Sequence, residues 1–261
     1  MCGIFGFSLD HSIPLVKVHK VLEKLEIHQY AGEKKPVGGY GAGLAVLQNG
    51  VISCQKVGKV GDESPARKLG EIVNVAEASV LVGHVRMPSP EFMATARFKE
   101  TAQPYVVNVK RGSTVVSVHN GKVENYKELR RSLGRKHFFE SEKVELIDSE
   151  VIPHIFAELL NEKQNDDSAL HALFDGLEGS SSIAILHVDK ENAFLHFLHK
   201  GKTRGLTIWN NEQNEVVFGS RKEPIIEVLA DIIHRGKFTE KVSIAYKEDT
   251  ELRLSYRLIL R

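Results

Sequence analysis

Five positions in this 261-residue chain have types and spacings that together could do chemistry on an amino acid. The chain opens "MCGIFGFSLD", and removal of Met1 would leave Cys2 as the N-terminus. One residue would then carry a thiol nucleophile and an α-amine able to take the thiol's proton. In "VHNGKVENYKELR", Asn120-Gly121 stands where an apolar strand gives way to a helix. The dipeptide is ordinary turn chemistry. It also offers two adjacent donors, the Asn amide and the Gly N–H, of the kind that receive a developing oxyanion, and glycine lets backbone come close to a bound group. In "GHVRMPSP", Arg86 ends an apolar strand, as a surface charge or as a bidentate clamp for a carboxylate. In "DSEVIPHIF", Asp148 precedes a helical run, as its N-cap or as the counter-charge for a ligand's ammonium group. Combined, these residues describe a pocket for a zwitterion. Arg86 would take its carboxylate and Asp148 its ammonium, with Cys2 at a side-chain carbonyl carbon and Asn120 and Gly121 at the oxygen.

The elements that must position these groups are legible in the periodicities. "CGIFGFSL" is a short apolar run that predicts a strand beginning at Cys2. "PLVKVHKVLEKLEIHQY" spaces Leu15, Val18, Leu22 and Leu25 at helical intervals, with Pro14 suited to the first turn. "LAVLQNGVISCQKV" predicts a hairpin closed by Asn49-Gly50, a pair that tolerates positive φ. A helix near 64–77 precedes the strand "SVLVGHVR", and a loop follows from Met87 to about Pro104. Strands around "YVVNV" and "STVVSVH" lead to helices in "KVENYKELRRSL" and "DSEVIPHIFAELL" and near 167–177. The strands "SSIAILHV", "AFLHFLH", "GLTIWN" and "EVVFGS" come next, the middle two expected to pair, then a helix near 224–234 and the strands "KVSIAYK" and "LRLSYRLIL". Strands in runs, with helices in pairs and no regular βαβ alternation, predict antiparallel sheets covered by helices, an α+β layered fold. No linker or repeat interrupts residues 1–261, which are read as one domain with a short β extension from about 236.

Composition narrows the function classes. Hydrophobic residues make up 42% and charged residues 26%, with a formal net charge of +1 and no basic cluster. That pattern gives no footprint for nucleic acid or an anionic membrane, and no apolar run reaches the ~18 residues that span a bilayer. Cys2 and Cys54 cannot build a disulfide framework, so the expected compartment is the cytoplasm. Cys54 is expected as a packed or half-exposed hairpin thiol. The 12 histidines show no metal-ligand spacing, and His196 and His199 are read as strand residues with no metal. "GGYGAG" does not match a phosphate-binding loop.

"MCGIFGF", "GHVRMPSP", "AQPY", "VHNGKVENYKELR" and "DSEVIPHIF" together resemble the class II glutamine amidotransferases, glutaminase domains of the N-terminal-nucleophile hydrolase fold, over most of residues 1–230. The resemblance implies a four-layer αββα sandwich, two antiparallel sheets between helical layers. It implies Cys2 as the catalytic nucleophile with its α-amine as base through a water, Asn120 and Gly121 as the oxyanion hole, Arg86 and Ser89 on the glutamine α-carboxylate, and Asp148 on the α-ammonium. It implies L-glutamine as substrate and no cofactor. Such domains are normally fused to a synthetase domain that consumes the ammonia, and no motif of one follows here, so the expected partner is a separate ammonia-accepting synthetase subunit. Three positions depart from the family pattern. Gln29 in "IHQYAG" stands where an arginine usually braces the site, Met87 replaces an aromatic residue, and Ser89 replaces threonine with its hydroxyl kept. Because of Gln29, a glutamine-binding regulatory or scaffolding subunit with little turnover stays open beside the glutaminase, as does a hydrolase of another γ-glutamyl amide.

Overall fold

The computed structural model describes residues 2–109, 112–163, 165–190 and 192–258. A seven-stranded and a five-stranded antiparallel sheet are stacked face to face, with helices on both outer faces. The larger sheet contains β1 (Gly3–Pro14), β2 (Gly41–Gln48), β3 (Val51–Gly58), β4 (Glu77–Val85), β9 (Leu206–Asn210), β10 (Val216–Gly219) and β11 (Thr239–Ile244), in the order β11-β9-β10-β1-β4-β2-β3. The smaller contains β5 (Tyr105–Val109), β6 (Ser113–Gly121), β7 (Ser181–Val188), β8 (Ala193–Lys202) and β12 (Asp249–Leu258), ordered β12-β8-β7-β6-β5. The αββα expectation agrees with this arrangement.

Both faces of the central strands are buried, so their sequences read as continuous apolar runs, and the period-2 alternation decides which core each residue joins. Ile4 faces the inter-sheet core with Val82, Val118, Ala184 and Phe197. Its neighbours Phe5 and Phe7 face the opposite layer, formed by α1 (Leu15–Ile27), α2 (Pro65–Ile72) and α6 (Lys222–Arg235). On β7 the same alternation sends Ala184 and Leu186 inward, and Ile183 and Ile185 outward beneath α4 (Val151–Lys163) and α5 (Asp166–Gly176). The remaining helix, α3 (Tyr126–Ser132), follows β6.

Local chemistry sets the element ends. Asn49 and Gly50 take φ of 50° and 75° between β2 and β3, the backbone twist a two-residue hairpin needs. Ser64 caps α2 by accepting from the Arg67 N–H, and Pro65 occupies the first turn. One sequence expectation is corrected. The strands "AFLHFLH" and "GLTIWN" do not pair: β8 lies in the small sheet between β7 and β12, and β9 in the large sheet between β10 and β11. Both sheets are antiparallel, and alternation within a strand cannot say at which turn the chain changes sheet. After 236, β11 extends one edge of the large sheet and β12 one edge of the small. The 87–104 loop includes two short 3-10 turns, Pro90–Thr95 and Lys99–Thr101.

Candidate active site

The first residues of β1 are held between two strands. Gly3 pairs with Val85 of β4, so Cys2 comes level with Arg86. On the other side, the Ser220 N–H donates to the Ile4 carbonyl at 2.9 Å, and the Ile4 N–H donates to Ser220 Oγ at 3.1 Å. A Cβ on Gly3 would sit 2.4 Å from Val37 Cγ1, so only glycine fits beside the half-buried Cys2. The thiol meets the next turn of chain: the Met87 N–H donates to Cys2 Sγ at 3.4 Å, and Sγ lies 3.6 Å from the Met87 carbonyl oxygen.

One cleft joins the sequence-predicted residues. Cys2, Arg86, Ser89, Gly121 and Asp148 line it together with Met87, Phe92, Thr101, Gln103, Lys122 and Ser149. Its interior space is about 50 Å³. Asn120, the sixth, precedes Gly121 at the end of β6 and is fully buried.

Arg86 is buried, and its guanidinium is aimed by two threonines of the 87–104 segment. Nη1 donates to Thr101 Oγ1 at 2.7 Å and Nη2 to Thr95 Oγ1 at 2.7 Å. Neither threonine was legible as a site residue, because they stand nine and 15 residues beyond Arg86 without a repeating interval. Burial pulls Arg86 below its ordinary pKa, and Tyr105, Cys2 and Asp148 oppose that shift by their charge. The guanidinium therefore lies in the field of the thiol and of the facing carboxylate.

Asp148 is not a helix N-cap. It begins a short 3-10 turn ahead of α4, and its Oδ2 accepts the Val123 N–H at 2.9 Å, from the loop after β6. Burial raises its pKa, opposed by that backbone donor and by Ser149. A desolvated carboxylate of this kind gains most from a cationic partner.

Asn120 and Gly121 are placed by β6 and β7, in register with Ser182 and Ser181. A Cβ on Gly121 would approach the Ser180 carbonyl oxygen to 2.0 Å, so the position admits no side chain. Neither Nδ2 nor Oδ1 of Asn120 has a hydrogen-bond partner among the described residues. Buried amides are nearly always satisfied, so this one is an exception, one residue from the cleft-lining Gly121. Behind it, His119 Nδ1 contacts Ser149 Oγ at 2.8 Å and Nε2 contacts Ser181 Oγ at 3.1 Å, while burial pushes the ring's pKa down to about 3. The Gln103 side chain brackets the His119 backbone, its Oε1 accepting from the N–H at 2.6 Å and its Nε2 donating to the carbonyl at 3.2 Å. A neutral imidazole and a clamped strand end thus fix the two candidate donors without adding charge.

Gln29, the departure from the family pattern, donates its amide to the Glu33 carbonyl. Beside it are two buried guanidiniums that motif reading missed. Arg221, fully buried after β10, and Arg204, before β9, both pair with the Glu33 carboxylate, with Arg204 Nη1 at 3.2 Å. Arg221 also lies 4.0 Å above the Tyr30 ring. Both arginines sit at the Cys2 end of the large sheet, since β10 pairs Gly219 with Phe5 of β1 and with Thr207 of β9. Cys54 is a half-buried thiol on β3 whose pKa burial raises to about 11, which disfavours the thiolate.

The Glutamine amidotransferase domain family matches residues 92–227. The chain is 31% identical over 194 residues to the glutamine–fructose-6-phosphate aminotransferase of Thermosynechococcus vestitus, and 32% over 206 residues to that of Bacillus thuringiensis. These matches take in 72% and 78% of this chain but only 27% and 29% of those proteins. Among solved structures, the allosteric regulatory enzyme of purine biosynthesis superposes over 97% of this chain and 48% of its own, with a TM-score of 0.64 at 16% identity. Glutamine phosphoribosylpyrophosphate amidotransferase of B. subtilis superposes over 97% and 49%, with a TM-score of 0.60 at 16% identity. At that identity the superpositions speak for the fold alone. No described helix is long and apolar enough to cross a membrane. With a family match over more than half of its length and two antiparallel sheets between helical layers, the chain belongs to the class II glutamine amidotransferases, as a glutaminase domain of the N-terminal-nucleophile hydrolase fold.

Proposed function

We propose that the chain hydrolyses L-glutamine to glutamate and ammonia through a thioester on Cys2, and that the ammonia passes to an acceptor bound by a synthetase on a separate subunit. The observation that carries this reading is the unpartnered, fully buried amide of Asn120, one residue from Gly121 in the cleft that also holds Cys2, Arg86 and Asp148. Arg86, with the Ser89 hydroxyl, holds the α-carboxylate. Asp148 holds the α-ammonium. The γ-amide then lies at Sγ with its oxygen toward Asn120 Nδ2 and the Gly121 N–H.

Met1 lies outside the described residues, and its removal is part of the proposal. A terminal amine has an ordinary pKa of about 7.7–8.0, near working pH. It takes the thiol proton through a water, and sulfur attacks the γ-carbon. The C–S bond forms, the C–N bond breaks, and the ammonium returns its proton to the departing ammonia. Water, activated by the same amine, hydrolyses the thioester and regenerates the thiol. No step requires a cofactor. An interior of about 50 Å³ is small beside the ~300 Å³ of small ligand sites. We further propose that residues 1–261 act as one glutaminase unit, because β11 and β12 complete the edges of both sheets.

The test is intact mass combined with labelling by 6-diazo-5-oxo-norleucine. A mass lacking Met1, with one adduct on Cys2 that excess glutamine prevents, is the expected result. Processed protein that binds glutamine but forms no adduct would overturn the hydrolytic reading in favour of a regulatory subunit, the alternative that Gln29 keeps open. Protection by another γ-glutamyl amide but not by glutamine would reassign the substrate.

A further inference from the structure

We propose that Asp166, His187 and His196 form a binding site for a divalent ion of borderline softness, Zn²⁺ or Co²⁺, remote from the glutamine cleft. The site is assembled from three elements. His187 and His196 lie on the adjacent strands β7 and β8, and the register His187↔Phe194 and Ile185↔His196 makes them diagonal neighbours. They share a face with Ile185 and Leu198, the face covered by α4 and α5. Asp166 is the first residue of α5 and reaches down between them. His187 is six residues along β7 from Ser181, the register partner of Gly121. At ~3.4 Å per residue the two sites are therefore about 20 Å apart.

The donor atoms already converge. Asp166 Oδ2 is 2.7 Å from His187 Nδ1 and 2.8 Å from His196 Nε2, and one ligand atom from each residue lies within 4.8 Å of the others. Two imidazole nitrogens and one carboxylate oxygen, with a fourth position left to water, form a donor set that suits zinc. Tetrahedral bonds of about 2.0–2.1 Å separate ligand atoms by about 3.3 Å, so an ion entering here widens each of the two O···N separations by about half an ångström. The histidine side chains are 7% and 1% exposed and that of Asp166 is 23% exposed, which leaves the fourth position facing solvent through the carboxylate.

Two surrounding features favour coordination. His196 Nδ1 lies 2.8 Å from Ser255 Oγ on β12, directly opposite in register. That contact lets Nδ1–H donate to the hydroxyl, which frees the Nε2 lone pair for an ion, as outer-sphere partners of ligating histidines do. Phe194 stacks with both imidazoles, at interplanar angles of 22° and 11°, and Phe156 meets both edge-on, so the ring planes are set by packing before any ion arrives.

Histidines nine positions apart on two strands match no ligand motif, which is why sequence spacing reads His196 as a strand residue without a metal.

The experiment is titration of the chelator-treated full chain with Co²⁺, followed by visible absorption, and with Zn²⁺, followed by calorimetry and thermal melting. One ion per chain is expected, with an intense low-coordinate cobalt band and a melting temperature that rises with Zn²⁺. Asp166→Asn, which keeps the shape of the side chain, and His196→Ala should each abolish the band, with circular dichroism confirming the fold. Ser255→Ala should weaken binding by about 10-fold. Absence of a band and of heat up to millimolar ion would overturn the proposal and leave the trio as a hydrogen-bonded brace for α5. So would binding that survives Asp166→Asn and His196→Ala but is lost in His11→Ala, which would place the ion at the Asp10, His11 and Glu215 group. Glutamine turnover is not needed as a readout, so failure of this proposal and failure of the glutaminase reading are separable.

Discussion

Replacing Asn120 by alanine separates two quantities that mutations at buried residues usually confound. If the amide of Asn120 is an oxyanion donor, its loss removes an interaction made only as negative charge develops on the substrate oxygen. One such donor accounts for about 10²–10³ in kcat, or about 2.7–4 kcal/mol, while KM for glutamine should change little. Stability should respond differently. Both polar atoms of the amide are buried without a partner among the described residues, and an unsatisfied buried polar group costs about 1–3 kcal/mol. Deleting it relieves that penalty and leaves a small cavity, and the two terms are of similar size and opposite sign. Asn120→Ala should therefore unfold within about 1 kcal/mol of the parent in urea, whereas truncating a large aliphatic core residue costs about 2–5 kcal/mol. The assay is glutamate release followed by a coupled dehydrogenase, paired with equilibrium denaturation of the same preparation. A variant with undiminished kcat would refute the role of Asn120. A variant destabilised by more than about 2 kcal/mol would show that the amide is satisfied in the resting protein, and the argument from its lack of a partner would fall.

Two other outcomes follow from the charges. Burial raises the pKa of Asp148 above 3.8, and capture of an ammonium needs the ionised form, so KM for glutamine should climb on acidification at a higher pH than an ordinary carboxylate would allow. For stability the sign is opposite: above its unfolded pKa the native carboxyl binds more protons than the unfolded one, so its contribution to stability falls as pH rises through the folded value. Asp148→Asn should flatten the acid limb of both profiles, and an unchanged limb would remove Asp148 from them. Glu33 is the buried carboxylate shared by Arg204 and Arg221. Glu33→Gln leaves two buried guanidiniums without a counter-charge and should destabilise by about 3–5 kcal/mol in urea, while a loss below 1 kcal/mol would mean that water already solvates them.

Much of the layer structure was legible in the residues themselves. The alternation around Ile4, Phe5 and Phe7, the helical spacing of Leu15, Val18, Leu22 and Leu25, and the Asn49-Gly50 turn each specify an element through contacts between near neighbours in sequence, which local periodicity reports. The candidate chemistry was legible for a related reason. Cys2, Arg86, Asn120, Gly121 and Asp148 sit at element ends, where residue type is dictated by the chemistry of the end as well as by packing. Tertiary structure decided what the intervening residues do. It aimed Arg86 through Thr95 and Thr101, bonded the Asp148 carboxylate to the Val123 N–H, and left the Asn120 amide without a partner among the described residues. It put β8 and β9 in different sheets, set Arg204 and Arg221 around Glu33, and gathered Asp166, His187 and His196. The physical reason is common to these cases. A hydrogen bond or ion pair between residues far apart in sequence is fixed by how strands register and sheets stack, and that information is carried by the whole packed chain and by no interval within it.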